Sequence, residues 1–145
     1  MNLPPILRFR AGRTWLGWPA SQVEQVLAWT APTPIPRSPA TLVGLIAHDT
    51  RVLTVVDVAA MLDLPPDPAE PSRLLLVKMG GETVALVVHE VRSVAQPEPA
   101  PDAAALHSNE VLESAAQGPG RIGEQLLWVL SPDRVCARAT AMMNP

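Results

Sequence analysis

The chain of 145 residues is poor in residues that cross-link, stack or carry charge. It contains one cysteine, no tyrosine and one phenylalanine, and 17% of its residues are charged. The single cysteine, Cys136, cannot close an intramolecular disulfide, and no cysteine pair is present to begin a structural zinc site. A reducing compartment fits this composition, and we expect the protein to be cytoplasmic.

Clustered positive charge and long apolar runs are also missing. The eleven Lys and Arg residues are scattered singly, and the formal net charge is -3. We expect no nucleic-acid partner, because phosphate neutralisation requires a clustered positive face. The longest aliphatic run, residues 84–88, is far shorter than the roughly twenty residues of a spanning helix. Residues 1–8 lack the apolar core of a signal peptide, so we expect no direct membrane insertion.

No arrangement typical of an enzyme is visible. The histidines His48, His89 and His107 lack the spacing of a helix-borne metal site. The serines lack the glycine-flanked turn of a hydrolase nucleophile. The glycines at 80–81 and 118–120 do not match a phosphate-binding loop. We therefore expect no catalysis, no metal and no cofactor.

Prolines divide the chain into short segments. Seventeen are present, more than twice the usual share of about 5%, and they concentrate at residues 32–39, 65–71 and 97–101. Such stretches lack amide donors and favour extended surface connections. Short runs of β-branched and aliphatic residues lie between them. Strands at this spacing, separated by turns, favour a barrel or a sandwich.

One pair of runs predicts a β-hairpin. Residues 73–77 and 83–88 are strongly apolar, and the loop between them contains Gly80 and Gly81. Paired glycines supply the positive φ angles of a tight hairpin turn. Helical signals are weaker. Residues 38–46, with Ser38 as an N-cap candidate and Pro39 at the first helical position, predict one or two helical turns, and residues 57–62 and 102–106 predict one further turn each.

The segments also follow a characteristic order. After a strand near Phe9 come a glycine-containing strand, a Val-Glu-Gln-Val segment, a proline-bearing loop, a turn with a glycine and an aspartate-containing strand: residues 16–18, 23–26, 33–39, 42–46 and 52–58. Paired strands and a late strand follow, at residues 73–77, 84–94 and 126–130. In this order and spacing, nearly the whole chain resembles the CheW-like domain of bacterial chemosensory coupling proteins.

The resemblance implies a fold. It predicts a mainly β protein, with two packed SH3-like five-stranded β-barrels and a few short helices, as a single CheW-like domain over residues 1–145. The first barrel is expected over approximately residues 13–72. The second is expected over approximately residues 73–138 together with the N-terminal strand at 5–12.

The resemblance also implies a function without catalysis. Proteins of this family are adaptors that link the cytoplasmic tips of chemoreceptors to the regulatory domain of a CheA-type histidine kinase. Carried over position by position, the apolar partner-binding candidates are Val23, Val26, Leu45, Ile46, Val87, Val88 and Val91. Each of these residues is equally compatible with a place in a barrel core.

Three positions depart from the family pattern. The turn Ala47-His48-Asp49-Thr50 stands where the family usually has Asn-Leu-Arg-Gly, so Asp49 replaces an arginine. Gln25 replaces a glutamate, and His89 replaces an aspartate. If the family residues at 25 and 49 form a polar contact, both sides have changed together.

The polar partner-binding candidates are therefore Gln25, His48, Asp49 and Arg51, and their departures favour a divergent partner. The alternative function is a small-ligand sensory or regulatory domain that retains the barrels and has lost the signalling partners.

Overall fold

The computed structural model describes residues 2–102 and 106–143, and strands dominate this part of the chain. The strands are β1 Ile6–Ala11, β2 Thr14–Pro19, β3 Val23–Ala28, β4 Leu42–His48, β5 Arg51–Val56, β6 Arg73–Met79, β7 Glu82–Val88, β8 Glu90–Ala95, β9 Glu98–Pro99, β10 Ala116–Ile122 and β11 Gln125–Leu130. The helices are α1 Val58–Met61, α2 Glu110–Ala115 and α3 Pro132–Met143, and a 3₁₀ turn spans Ala20–Gln22. The expected mainly β architecture with a few short helices is confirmed.

The strands form two sheets that follow the same plan. Sheet I has the order β3-β6-β7-β5-β4, and sheet II has the order β8-β1-β2-β11-β10-β9. Each sheet joins two hairpins through a parallel pair, β5 with β7 in sheet I and β11 with β2 in sheet II. The hairpin β1–β2 thus holds the place in sheet II that β6–β7 holds in sheet I. The start of the chain completes the sheet that its second half forms.

The division between the sheets differs from the boundary expected near residue 72. Strands β6 and β7, expected in the second barrel, pair with β3 and β5 in sheet I. Strand β2, expected in the first barrel, pairs with β1 in sheet II. Sheet II also contains one strand more than expected, because the short β9 pairs with β10.

Burial explains why β6 and β7 lie in sheet I. Leu74 and Leu76 face the interior of sheet I, whereas Leu75 and Val77 face a larger core that both sheets and the helices share. An uninterrupted apolar run is typical of a strand covered on both faces. A central position in sheet I provides both covers, and the run itself does not reveal which sheet supplies them.

The predicted β6–β7 hairpin is confirmed. Leu74 lies opposite Val87 and Val77 opposite Val84 in an antiparallel register. The turn is formed by Gly80 and Gly81, with φ angles of 62° and 81°. Side chains other than glycine are strained in this region, so the glycine pair sets the register of the hairpin.

The helical turn predicted at residues 57–62 is confirmed by α1. The Asp57 side chain caps it, accepting a hydrogen bond from the Ala60 N–H at 3.1 Å. The turn predicted at 102–106 includes 103–105, which lie outside the described residues. The described part of the chain contains no helix long and apolar enough to cross a membrane.

The helical turns predicted at residues 38–46 are wrong, because residues 39–42 form only a single turn, closed by the Leu42 N–H to the Pro39 carbonyl at 3.0 Å, and Leu42–His48 forms β4. This segment pairs with β5 throughout. On its other side, Leu45 exchanges two backbone hydrogen bonds with Thr33, at 2.8 and 2.9 Å. A Cβ on Gly44 would lie 2.2 Å from the Thr33 carbonyl oxygen. The glycine therefore permits a close backbone approach and does not end a helix.

Candidate functional site

Polar side chains meet at one end of sheet I, where β3, β5 and β7 begin and β4 and β6 end. These side chains belong to strands in which every second residue points into the apolar interior of the sheet. Lys78, for example, follows the interior residue Leu76 by two positions, and Thr83 precedes the interior residue Ala85 by two. The group thus covers one end of that interior. We call it the mouth cluster, and its members are Glu24, Gln25, His48, Arg51, Lys78 and Thr83.

Glu24 is the centre of the charged half of the mouth cluster. The Thr83 hydroxyl donates a hydrogen bond to its carboxylate. Arg51 Nη2 lies 3.4 Å and Lys78 Nζ lies 3.7 Å from the same group. The hydrogen bond from Thr83, aided by these two cations, lowers the pKa of Glu24. Arg51, a predicted partner-binding residue, is therefore directed toward a carboxylate of its own sheet.

Gln25 and His48 form the other half of the mouth cluster, and Asp49 lies next to them in the β4–β5 turn. His48 Nε2 lies 3.2 Å from Gln25 Oε1 and 3.2 Å from Asp49 Oδ2. Gln25 is on β3 and His48 is on β4, the two edge strands of sheet I. Sheet I must curve until its edges meet for this contact to form. The polar contact suspected between positions 25 and 49 is thus mediated by the imidazole of His48.

The β4–β5 turn presents Asp49 to solvent. His48 pairs with Arg51 across it, and the two intervening residues, Asp49 and Thr50, have φ angles of 46° and 64°. Two left-handed residues define the tight turn that suits the twist of a hairpin. The Asp49 side chain is 79% exposed, so its carboxylate projects from a short, well-defined turn.

Three of the predicted apolar contacts are core residues. Val88 is fully buried, and Val87 and Ile46 are 6% and 8% exposed. Val88 packs in the shared core, whereas Val87 and Ile46 pack in the interior of sheet I. Their assignment as partner contacts is corrected, because side chains that are at most 8% exposed present almost no surface to a partner.

The other four predicted apolar residues retain some surface. Val23 and Val91 are partly buried against the shared core. Leu45 is partly buried on β4. Val26, on the edge strand β3, is 39% exposed and is the most accessible of the predicted apolar contacts.

Comparisons with known proteins agree with this architecture. The family model of the CheW-like domain matches residues 5–140. The chain belongs to the CheW-like domain family. Protein FrzA of Myxococcus xanthus is 32% identical over 116 residues, which cover 74% of this chain and 72% of FrzA.

Two further proteins extend the CheW-like comparison. The probable chemotaxis protein CheW of Rhizobium etli is 29% identical over 90 residues, which cover 61% of this chain and 58% of that relative. The crystal structure of the scaffolding protein TtCheW from Thermoanaerobacter tengcongensis superposes with a TM-score of 0.74 at 18% identity, covering 93% of this chain and 92% of TtCheW. At that identity the likeness shows the CheW-like fold.

An exposed residue of the CheW-like domain, Val52, was missed by sequence reasoning. It is 70% exposed and lies opposite Ala47, next to the turn that carries Asp49. Alternation along β5 places Leu53 inside and Val52 outside. The sequence does not reveal this, because apolar residues occupy both faces of the strand. We call the outer side of the β4–β5 hairpin the hairpin surface; its members are Leu45, Ala47, Asp49 and Val52.

His89, the third departure from the CheW-like pattern, joins the two sheets. The ring Nδ1 of His89 accepts a hydrogen bond from the Gly12 backbone N–H at 3.1 Å, and the backbone N–H of His89 donates to the Arg10 carbonyl at 2.8 Å. The Ser72 hydroxyl donates to the His89 carbonyl at 2.7 Å. The structure therefore gives His89 a structural place at the end of β7.

A cavity of about 390 Å³ lies between α1 and the proline stretch at 65–71 of this CheW-like domain. Two carboxylates in its wall already have partners. Asp57 caps α1, and Asp67 Oδ2 lies 2.6 Å from Arg10 Nη1. The Ala69 N–H and the Arg10 guanidinium lower the pKa of Asp67. These groups hold the proline stretch in place, and nothing in their arrangement favours a small-ligand sensor.

Proposed function

We propose that this CheW-like domain is a non-catalytic adaptor of a bacterial chemosensory system, which couples receptors to the regulatory domain of a CheA-type histidine kinase. The match of the family model to residues 5–140 carries the proposal. The probable chemotaxis protein and the scaffolding protein among the similar proteins support it. A cytoplasmic site of action is part of the proposal, since the single cysteine requires no oxidising compartment.

The hairpin surface is the contact we propose for the kinase regulatory domain. Val52 is the most exposed of the large apolar side chains in the described residues, and Ala47 beside it is exposed as well. Exposed apolar side chains on a rigid sheet are suited to act as binding anchors, and a few such anchors dominate the affinity of most interfaces. Val26 on the neighbouring edge strand extends this surface.

Asp49 adds specificity to the hairpin surface. An arginine offers a planar fork of donors, whereas a carboxylate at neutral pH only accepts hydrogen bonds. A partner surface that accepts hydrogen bonds from an arginine would therefore place its acceptors opposite the Asp49 carboxylate, which cannot donate. We propose that the cognate regulatory domain presents a donor or a cation at this point.

Calorimetry with the purified regulatory domain of the CheA-type kinase from the same organism tests the proposal. Val52→Asp should weaken binding at least about tenfold, because it places a charge in a desolvated contact. The matched control is Val94→Asp on β8 of sheet II, where Val94 is 55% exposed; this change should leave the affinity unaltered. Equal binding by wild type and Val52→Asp would reject the hairpin surface, and no binding by wild type would reject the kinase as partner.

A further inference from the structure

Arginine side chains surround a partly exposed tryptophan on sheet II. Strand β1 carries two of the arginines, β2 carries the tryptophan, and β8 carries a third arginine with a glutamate. Arg10 lies opposite Trp15 in one register and opposite Glu90 in the other. We call this group the arginine–tryptophan patch, and its members are Arg8, Arg10, Trp15, Glu90 and Arg92.

The pairing of β1 with its two neighbouring strands builds the patch, and a β-bulge extends it. The register between β1 and β8 shifts across residues 7–9, so that Arg92 and Ser93 both lie opposite Arg8. Arg92 follows Glu90 by two positions, so strand alternation places it on the face of Arg10 and Trp15, and the bulge adds Ser93 beside Arg8. The Arg92 guanidinium lies 4.8 Å from the centre of the Trp15 ring, and Arg8 Nη2 donates to Ser93 Oγ at 2.9 Å. The pairing of β1 with β2 and β8 therefore places Arg8 and Arg92 on the same face as the tryptophan, and the bulge gives Arg8 a serine hydroxyl as a partner.

The patch carries more positive than negative charge. Arg92 Nε lies 3.0 Å and Arg10 Nε lies 3.7 Å from the carboxylate of Glu90, which the two arginines share. Arg10 also pairs with Asp67 at 2.6 Å, so two carboxylates face three arginines. The hydrogen bonds of the Arg8 guanidinium to described residues end on neutral oxygens, those of Ser93 and of Gln125. In a chain of net charge -3, this local surplus of guanidinium groups is complementary to carboxylates.

We propose that the arginine–tryptophan patch is a second docking surface, for a protein segment that sets carboxylates against Arg8 and Arg92 and an apolar side chain against Trp15. Arginine and tryptophan are the residue types most enriched among dominant interface contacts, and guanidinium binds carboxylate through paired hydrogen bonds. The inference rests on the proposed adaptor role, since a protein that couples two others needs two separate surfaces. The hairpin surface belongs to sheet I and the patch to sheet II.

The purified cytoplasmic tip of a chemoreceptor from the same organism is the probe. Its affinity is measured by calorimetry against wild type, Arg92→Glu and Trp15→Leu. Both variants should bind at least about tenfold more weakly, because each removes a central contact and the first also repels carboxylates. Arg37→Glu, the same charge change at an exposed residue between β3 and β4, is the matched control and should bind like wild type.

Each alternative result has a distinct meaning. Tip binding that survives Arg92→Glu and Trp15→Leu, or that falls equally in Arg37→Glu, overturns the patch and leaves the adaptor role intact. Absence of tip binding to wild type overturns both. Binding of a DNA duplex that Arg92→Glu abolishes identifies a phosphate site and overturns the protein partner. Arg92→Gln and urea unfolding of every variant separate a loss of binding from a loss of folding, because Arg92 is 52% exposed and its amide variant should fold.

Discussion

Gln25 Oε1 and His48 Nε2 lie 3.2 Å apart although their residues occupy opposite edge strands of sheet I. The contact requires that the sheet curve back on itself, and it brings the edge strand β3 to the turn that carries Asp49. Positions 25 and 49, both predicted to depart from the family pattern, therefore share one imidazole. Three predictions concern this end of sheet I, and a fourth concerns the β6–β7 hairpin.

A double-mutant cycle tests whether the side chains at positions 25 and 49 are energetically coupled. Gln25→Glu alone adds a carboxylate beside Asp49, and Asp49→Arg alone adds a cation without a carboxylate opposite. We expect the double variant to be more stable than the sum of the single effects by about 0.2–1 kcal/mol, the range of an exposed ion pair. Urea unfolding measures the coupling, and strictly additive effects would show that the two positions act independently.

Asp49 should decide which signalling system accepts the protein. We expect that the wild-type chain does not restore signalling in a strain that lacks its standard coupling protein, and that Asp49→Arg gains function there, because charge and hydrogen-bond sense are reversed. The swimming response of the complemented strains is the measurement, and the expression of each variant is checked in parallel. Asp63→Arg is the matched control, since Asp63 is also exposed and has a φ of 53°. Full restoration by the unmodified chain would refute the prediction.

Thr83→Val should raise the pKa of Glu24 toward its ordinary value of 4.5, because the Thr83 hydroxyl is the main cause of its lowering. With the pKa lowered, the ionised carboxylate stabilises the fold above pH 4.5, and this contribution is lost as the pH falls through the lowered pKa. The variant should therefore lose less stability on acidification. NMR titration of the Glu24 carboxyl carbon measures the shift, Thr54→Val on β5 is the control, and an unchanged pKa in Thr83→Val would contradict the assignment.

Replacing both Gly80 and Gly81 by Val should destabilise the β6–β7 hairpin by roughly 1 kcal/mol or more per residue held at positive φ. At Gly80 the loss should be larger, because a Cβ there would lie 2.5 Å from Cys136 Sγ. Thermal unfolding measures the effect. Gly81→Asn is the control, since asparagine tolerates this region better than valine does and a Cβ at Gly81 meets no atom within 4 Å. Unchanged stability of the double variant would argue against the turn.

Features of the structure that depend on neighbouring residues were predictable. The hairpin at Gly80–Gly81 and the helical turn at residues 57–62 are local, because hairpin turns and single helical turns involve residues within a few positions. The membership of β6 and β7 in sheet I was not predictable. An apolar run indicates that both faces of a strand are covered, but it does not indicate which other elements cover them. For the same reason Ile46, Val87 and Val88 could not be told from surface valines.

The candidate sites show the same division. The sequence by itself determined that the chain is mainly β and that it resembles the CheW-like family, and it predicts that positions 25, 49 and 89 depart from the pattern of that family. Only the tertiary structure decided that Val52 is outside, that Gln25 meets His48 across 23 positions, and that Arg92 lies over Trp15. These contacts arise from sheet curvature and from the pairing of strands that are distant in the sequence, which alternation within a single strand does not encode.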